Sequence, residues 1–377
     1  MKVLHICSDF AKQSIYNQLV SRLDSQLSGQ DIYIPVRTAA EVGQYQNAEL
    51  VNTHYHYAYI LNKLDRFNYY GKIRKTTSYI ENTIQINNLD VIHAHFLFSD
   101  GGMAYKLFRK YNVPYVVAIR NTDLNFFFKY FIHLKPYARK ILQNASNIVF
   151  LSNAYKDTFM EKYVADSDRN NFLSKIKVIP NGVDDYWLKN TNNHSITKDA
   201  FNVLYVGDFT SNKNILLTIN AISNLRIKGK DISFNIIGGG GDDEDKIRQL
   251  AAENNWIHLY PRTNNQDELK EIYRKSHIFC MPSKYETFGL VYIEALSQGL
   301  PIIYTNGQGV SGYFKNGTVG YGVKPNNVTD IADKIELIMN NFDSMSLNSP
   351  KFAQEFSWDN IAKEYLDIYN NLYGRKH

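Results

Sequence analysis

The sequence predicts an α/β chain of two doubly wound parallel sheets, and three observations carry that prediction. Short apolar runs alternate with helical patterns in both halves, as βαβ units require. The opening run VLHICSDF, Val3 to Phe10, is echoed by VLYVGDF, Val203 to Phe209, so each half begins on a similar strand. The 377 residues are also enough for each half to bury its own core.

In chain order, Val3–Ile6, Ile32–Pro35, Val91–Ala94, Tyr115–Ile119, Ile148–Leu151 and Lys177–Ile179 read as strands of the first half. Asn202–Val206, Ser233–Ile237, Ile257–Tyr260, Ile278–Met281 and Pro301–Tyr304 read as strands of the second. The polar run Lys189 to Asp199, KNTNNHSITKD, is the expected linker, which puts one domain at 1–195 and the other at 196–355. A last helix is predicted from Trp358 to Leu372, because Trp358, Ile361, Tyr365, Ile368, Tyr369 and Leu372 recur at helical spacing. Such a stripe must be buried, and the helix at about 356–377 is expected to pack back onto the first domain. Doubly wound sheets bind ligands beyond the carboxyl ends of their strands, so the two domains are expected to face each other across a ligand cleft.

Composition narrows the class. A chain that is 44% hydrophobic and 21% charged is globular, and no run approaches the roughly 18 apolar residues of a membrane span. MKVLHICSDF is too briefly apolar for a signal-peptide core and reads as a strand. Cys7 and Cys280 sit in apolar strands and predict buried, unpaired thiols and a cytoplasmic setting. Lys and Arg outnumber Asp and Glu by 23 to 16 in residues 1–195. The excess is densest at 101–140, where Phe126, Phe127, Phe128, Tyr130 and Phe131 are interleaved with the cations. That segment reads either as a helix face with solvated cations or as a peripheral contact with an anionic bilayer. A net charge of +5 without a recognition motif argues against nucleic acid.

The densest chemistry lies in SKYETFGLVYIEALSQGLP, residues 283–301, where Glu286 and Glu294 are separated by seven residues. The layout is a loop entering a helix, with Thr287 or Ser283 available as its cap. The N–H groups of Phe288, Gly289 and Leu290 would then be free for an anion. Eight helical steps would place the carboxylates about 12 Å apart, one ahead of the helix and one two turns inside it. Paired glycosidase carboxylates work across about 5–9.5 Å, so hydrolysis by this pair is not expected.

With IPNGVD (Ile179–Asp184), VGDFTSNKN (Val206–Asn214), IIGGGGDDE (Ile236–Glu244), HAHF (His93–Phe96) and the late FSW (Phe356–Trp358), this stretch resembles family-four retaining glycosyltransferases of the GT-B fold, of the capsular or exopolysaccharide type. The resemblance covers nearly the whole chain and implies two Rossmann-like domains, an acceptor domain followed by a donor domain. It implies that Glu286 positions the donor sugar, that Glu294 accepts hydrogen bonds from the nucleotide ribose, and that Lys213 holds the diphosphate. The same diphosphate would meet the backbone at Phe288, Gly289 and Leu290, and Gly207, Asn212 and Arg262 complete the expected donor-binding set. The implied reaction moves a sugar from a nucleotide donor, in most such enzymes a UDP-sugar, to a saccharide or lipid-linked saccharide hydroxyl in surface polysaccharide synthesis at the cytoplasmic face. No cofactor and no metal are expected, since the nucleotide-sugar is itself the substrate.

Three departures from the family pattern stand out. Asp208 occupies a place where members carry Arg, beside a phosphate site it should repel; either it turns away or another cation substitutes. The family's HG-x-D motif appears as Arg120-Asn121-Thr122-Asp123, from which Arg120 is expected to face the ligand with Asp123 as its ionic partner. The first loop, SDFAKQS, lacks the paired glycines that allow close backbone approach. His95 is an additional candidate for contact with sugar or acceptor, so the expected catalytic set is Glu286, Arg120, Asp123 and His95. Asp166-x-Asp168 and Asp243-x-Asp245 match a diphosphate–metal pattern but fit a polar loop and a helix start. His54-x-His56 and His93-x-His95 lack a third ligand. Two other readings share the motifs: a nucleotide-sugar epimerase, and a non-catalytic subunit that binds a partner transferase or a membrane.

Overall fold

The computed structural model describes residues 1–192 and 201–376. Most of the expected linker, from 193 on, lies outside the described residues.

The first sheet has seven parallel strands: β1 (Lys2–Ile6), β2 (Gly29–Val36), β3 (Thr53–Tyr59), β4 (Val91–Ala94), β5 (Tyr115–Ile119), β6 (Asn147–Phe150) and β7 (Ile176–Val178), in the order β3-β2-β1-β4-β5-β6-β7. The second has six: β8 (Phe201–Gly207), β9 (Ile232–Gly238), β10 (Ile257–Pro261), β11 (Ile278–Cys280), β12 (Ile302–Thr305) and β13 (Gly320–Val323), in the order β10-β9-β8-β11-β12-β13. Both orders reverse beside the strand that opens the sheet, the doubly wound pattern expected from the sequence. Every run read as a strand is one, within a few residues.

Two strands, β3 and β13, were not legible. Both are edge strands, and neither carries the continuous apolar run of a strand covered on both faces. The β3 sequence THYHYAY is mostly half-buried or exposed, and β13, GYGV, is half glycine.

The chain divides into two compact units, one of residues 1–151, 156–180 and 358–377, the other of 152–155 and 181–357. The division falls at Pro180, ahead of the polar run, because residues 181–190 pack with the second unit. Trp187 is buried edge-on against Tyr273 at 5.2 Å between ring centres, and the Asn190 carbonyl accepts from Arg274 at 3.0 Å.

The helix Trp358–Lys376 completes the first unit. Trp358, Ile361, Tyr365, Tyr369 and Leu372 share one buried cluster with Val3, Leu23, Val91, Val116 and Val149 of the sheet and its first helix. Cys7 and Cys280 are buried free thiols, and no described helix is long and apolar enough to cross a membrane.

Candidate active site

The carboxyl ends of β9, β8 and β11 lie side by side, so the loops that follow them meet on one edge of the second sheet. After β8, the loop 208–214 leads into the helix Ile215–Ile227. Asn212 ties it to the loop after β11: its Nδ2 donates to the Tyr285 carbonyl (3.0 Å), its Oδ1 accepts from the Tyr285 N–H (3.1 Å), and its carbonyl accepts from the Lys284 N–H (2.8 Å). Asn212 thus holds Lys213 against Glu286. The Lys213 ammonium meets the Glu286 carboxylate at 2.7 Å, with 24% and 14% of the two side chains exposed. Glu286 is held in turn by the loop after β12, where Gln308 accepts from its N–H (3.1 Å) and Gly309 donates to its carbonyl (2.9 Å). Nothing in the sequence marked Gln308 and Gly309, which lie more than twenty residues away.

The helix after this loop is Leu290–Ser297, and it begins differently from expectation. Its cap is Gly289, at φ +84°, rather than Thr287 or Ser283. A side chain at Gly289 would take strained backbone and meet the Tyr292 ring at 2.5 Å. Glu294 is therefore one turn inside the helix, not two. With no side-chain cap, the N–H groups of Phe288, Gly289 and Leu290 find no acceptor among the described residues. They stand at the positive end of the helix.

Glu294 accepts from the Tyr273 hydroxyl at 3.3 Å. Although part of the residue meets solvent, burial of its carboxyl, reinforced by Asp184, pushes the pKa up to about 7 against the opposing Tyr273 bond.

On the β9 side, Gly238, at φ +147°, is required by close approach, since a Cβ there would lie 1.8 Å from the Gly207 carbonyl oxygen. The backbones of the two loops continue in contact: the Phe209 N–H donates to the Gly240 carbonyl at 2.7 Å. Arg262, just beyond β10, pairs with Asp208 and donates to the Gly239 carbonyl at 2.8 Å. A cation from another strand thus comes to the place where Asp208 replaces the expected Arg.

In the first unit, Asp123 is not the ionic partner of the Arg120 side chain in the manner expected. Its carboxylate accepts from the main-chain N–H groups of Leu97 (3.1 Å), Phe98 (3.1 Å) and Arg120 (2.9 Å), stapling the turn after β4 to the turn after β5. Burial pushes its pKa up to about 6 against those bonds. The Arg120 guanidinium is itself buried and donates to the His95 carbonyl at 3.3 Å.

His95 is 1% exposed, so its side chain lies in the core of the first unit. The register of β1 with β4, which sets His5 beside His93, supplies the third imidazole that His93 and His95 lacked in sequence. The rings stack, with His93 and His95 centred 4.0 Å apart and inclined by 26°. Stacked rings direct their lone pairs side by side rather than to one point, which is poor geometry for a metal. Instead His5 Nδ1 and His95 Nε2 share a hydrogen bond at 3.2 Å, and the Tyr369 hydroxyl is 2.7 Å from His93 Nδ1. Burial lowers all three pKa values, that of His5 to about 3.

Between pH 6.5 and that native value the unfolded chain binds the proton that the folded chain refuses, so stability rises with pH across the window. His5 alone should withdraw about 2 kcal/mol between pH 7 and pH 5. Urea midpoints for the wild type and His5→Gln should therefore diverge in slope against pH, the variant losing less on acidification. Asp123 titrates in the opposite sense, and the comparison with the variant removes its contribution.

Asp166 and Asp168 open the helix Asp166–Leu173 rather than lying in a loop, and Asp243 is the N-cap residue of the helix Glu244–Glu253. Asp168 accepts from Arg139 and Gln143, and Glu244 pairs with Arg248 at 2.6 Å at a helix start.

A model described as Glycosyltransferase Family 4 matches residues 22–186, and one described as Glycosyl transferases group 1 matches residues 189–350. Together they span both units. The chain belongs to the group 1, family-four glycosyltransferases. Members are retaining enzymes, and this transferase moves a sugar from a nucleotide-sugar donor. An uncharacterized glycosyltransferase of Methanocaldococcus jannaschii is 26% identical to it over 297 residues, 78% of either chain. An uncharacterized 41.2 kDa protein from the cps region of Klebsiella pneumoniae is 27% identical over 316 residues, 77% of this transferase and 81% of that protein. Among solved structures, Anabaena HepE in complex with UDP superposes with a TM-score of 0.73 at 14% identity, over 98% of this transferase and 100% of that chain. That likeness is one of fold, and the fold is GT-B.

Proposed function

We propose that this transferase uses a UDP-sugar and moves the sugar, with retention, to a hydroxyl of a saccharide or lipid-linked saccharide in surface polysaccharide synthesis on the cytoplasmic side. The observation that carries the reading is the pairing of Lys213 with Glu286 beside the open end of the helix Leu290–Ser297. In this assignment the free N–H groups and Lys213 hold the diphosphate, Glu294 the ribose and Glu286 the sugar. The leaving phosphate is stabilised where its charge develops and takes the acceptor proton, so no protein nucleophile is needed. Asn212, Gln308, Asp123 and the Asp208–Arg262 pair are positioning groups. In this assignment Arg120 and His95, buried just beyond the carboxyl ends of β5 and β4, support the site rather than touch the sugar. UDP is supported by the ligand of HepE, and the pathway by the cps-region relative.

Calorimetric titration with UDP, GDP and ADP, with and without EDTA, tests the assignment. UDP alone should bind, independently of EDTA, and Lys213→Ala and Glu294→Ala should each weaken it. Binding of none of the three, or binding indifferent to both substitutions, would overturn it.

Glu294 adds a pH dependence. Only its carboxylate can accept from both ribose hydroxyls, and with a pKa of about 7 it is mostly protonated at pH 6. UDP affinity should fall about tenfold more from pH 8 to pH 6 in the wild type than in Glu294→Gln, since the common titration of the nucleotide cancels in the ratio.

A further inference from the structure

A cavity of about 490 Å³ opens in the first unit at the carboxyl ends of β1, β2, β4 and β5. Its charges are unevenly satisfied. Asp9 is paired with Lys12 at 2.6 Å, Asp65 accepts from the Asn62 N–H at 2.7 Å and lies 3.4 Å from Lys75, and Asp123 is taken up by three main-chain N–H groups. The cations Arg37 and Lys72, which line the same cavity, form no ion pair with a carboxylate among the described residues. The Arg37 guanidinium donates to the neutral Asn62 carbonyl at 2.6 Å. The Lys72 ammonium forms no hydrogen bond among the described residues and lies 5.8 Å from the centre of the Tyr69 ring.

Lys72 is also poorly solvated. Burial lowers its pKa, the nearby Arg37 and Lys12 lower it further, and Asp100 and Asp65 offset part of this. Asp100 is fully buried and its own pKa is pushed up by that burial, so it is a weak counter-charge. Two half-buried cations that share one cavity and have no paired carboxylate among the described residues form a site that favours an anion, which would offset the partial desolvation of Lys72.

The lining of the same cavity also includes apolar rings that face outward. Phe67 is 89% exposed and Phe126 47%, an arrangement unfavourable in water unless an apolar body covers the rings. Cation floor and aromatic rim together describe one ligand, an amphiphilic anion. We propose that this cavity seats the acceptor, a phosphate-bearing amphiphile whose anionic group is held by Arg37 and Lys72 and whose apolar portion lies on Phe67 and Phe126. That the ligand is the acceptor rests on the transferase reading above; the anion site itself does not.

Farnesyl phosphate below its micellar concentration, farnesol, inorganic phosphate and phosphatidylglycerol vesicles are the probes, each titrated in saturating UDP so that the donor site is filled. Farnesyl phosphate should saturate at least tenfold below farnesol and below inorganic phosphate. Arg37→Gln and Lys72→Met should each weaken it fivefold or more and leave farnesol unchanged, while Lys72→Arg restores most of the affinity. Thermal midpoints of the variants confirm that they fold. Equal affinity for farnesol and its phosphate, indifference to both substitutions, or binding to vesicles alone would overturn the proposal, the last by assigning the patch to a bilayer surface. If farnesyl phosphate binds as expected while UDP does not bind, the donor assignment fails and the anion site stands.

Discussion

Replacing Glu286 by Ala is expected to lower kcat about a thousandfold while leaving UDP affinity within threefold of the wild type. The carboxylate, 14% exposed, is anchored through Gln308 and Gly309 and addresses the sugar rather than the nucleotide in the proposed assignment. Loss of one pre-oriented group at a reacting centre typically costs 10²–10³ in rate, and both its charge and its contact with the sugar would be lost here. Its removal also releases Lys213 from a 2.7 Å ion pair, leaving the ammonium free for diphosphate, so nucleotide affinity should hold or improve. Glu286→Gln, which keeps the shape and loses the charge, should fall between Ala and the wild type. Transfer assays with UDP-sugars, paired with calorimetry for UDP, read both quantities. A kcat within a few fold of the wild type would remove Glu286 from the site.

Lys213→Ala should act on both quantities at once, raising the Kd for UDP tenfold or more and lowering kcat about a hundredfold. The ammonium would neutralise charge that is present in the bound diphosphate and grows as it departs, so the loss is felt in the ground state and more in the transition state. The substitution also strands a partly buried Glu286 carboxylate, which should destabilise the fold. The double variant Lys213→Ala/Glu286→Ala separates the two effects. Thermal stability should recover toward the wild type, because neither charge is left alone, whereas UDP affinity should not recover. Recovery of both would mean that the pair is purely structural.

Most of the fold was legible because central strands of a parallel sheet must be apolar on both faces, and runs such as VVAI and IFC have few other uses. The edges β3 and β13 escaped because THYHYAY is rich in polar and aromatic residues and GYGV is half glycine, whereas the other edges, β7 and β10, keep short runs with Ile, Val or Leu. The spacing of Glu286 and Glu294 was visible in the sequence, but the start of the helix between them was not. Rules that look for Ser or Thr before a helix pass over Gly289, whose backbone conformation does the capping. Long-range pairings were out of reach. Lys213 and Glu286 are 73 residues apart, Asp208 and Arg262 54, and His5 and His95 90. Each meeting is decided by the order of the strands in the sheet. His95 and Asp123 were read as chemical groups because His and Asp at strand ends often are. Burial turned one into a core ring and the other into a staple for two turns.

The late helix Trp358–Lys376 imposes an order of events on biosynthesis. It supplies Trp358, Ile361, Tyr365 and Tyr369 to a cluster that also needs Val3, Leu23 and Val91, so these strands and their first helix wait for residues made more than 250 positions later. Translation at about 5–20 residues per second makes that interval roughly 10–35 s for the stretch 181–357, long compared with the folding of a single domain. At its end the second unit has all its residues, while the first still has an uncovered apolar face around β1 and β4. The unit encoded first is therefore the one finished last, and the nascent chain carries an aggregation-prone surface that chaperones are suited to shield.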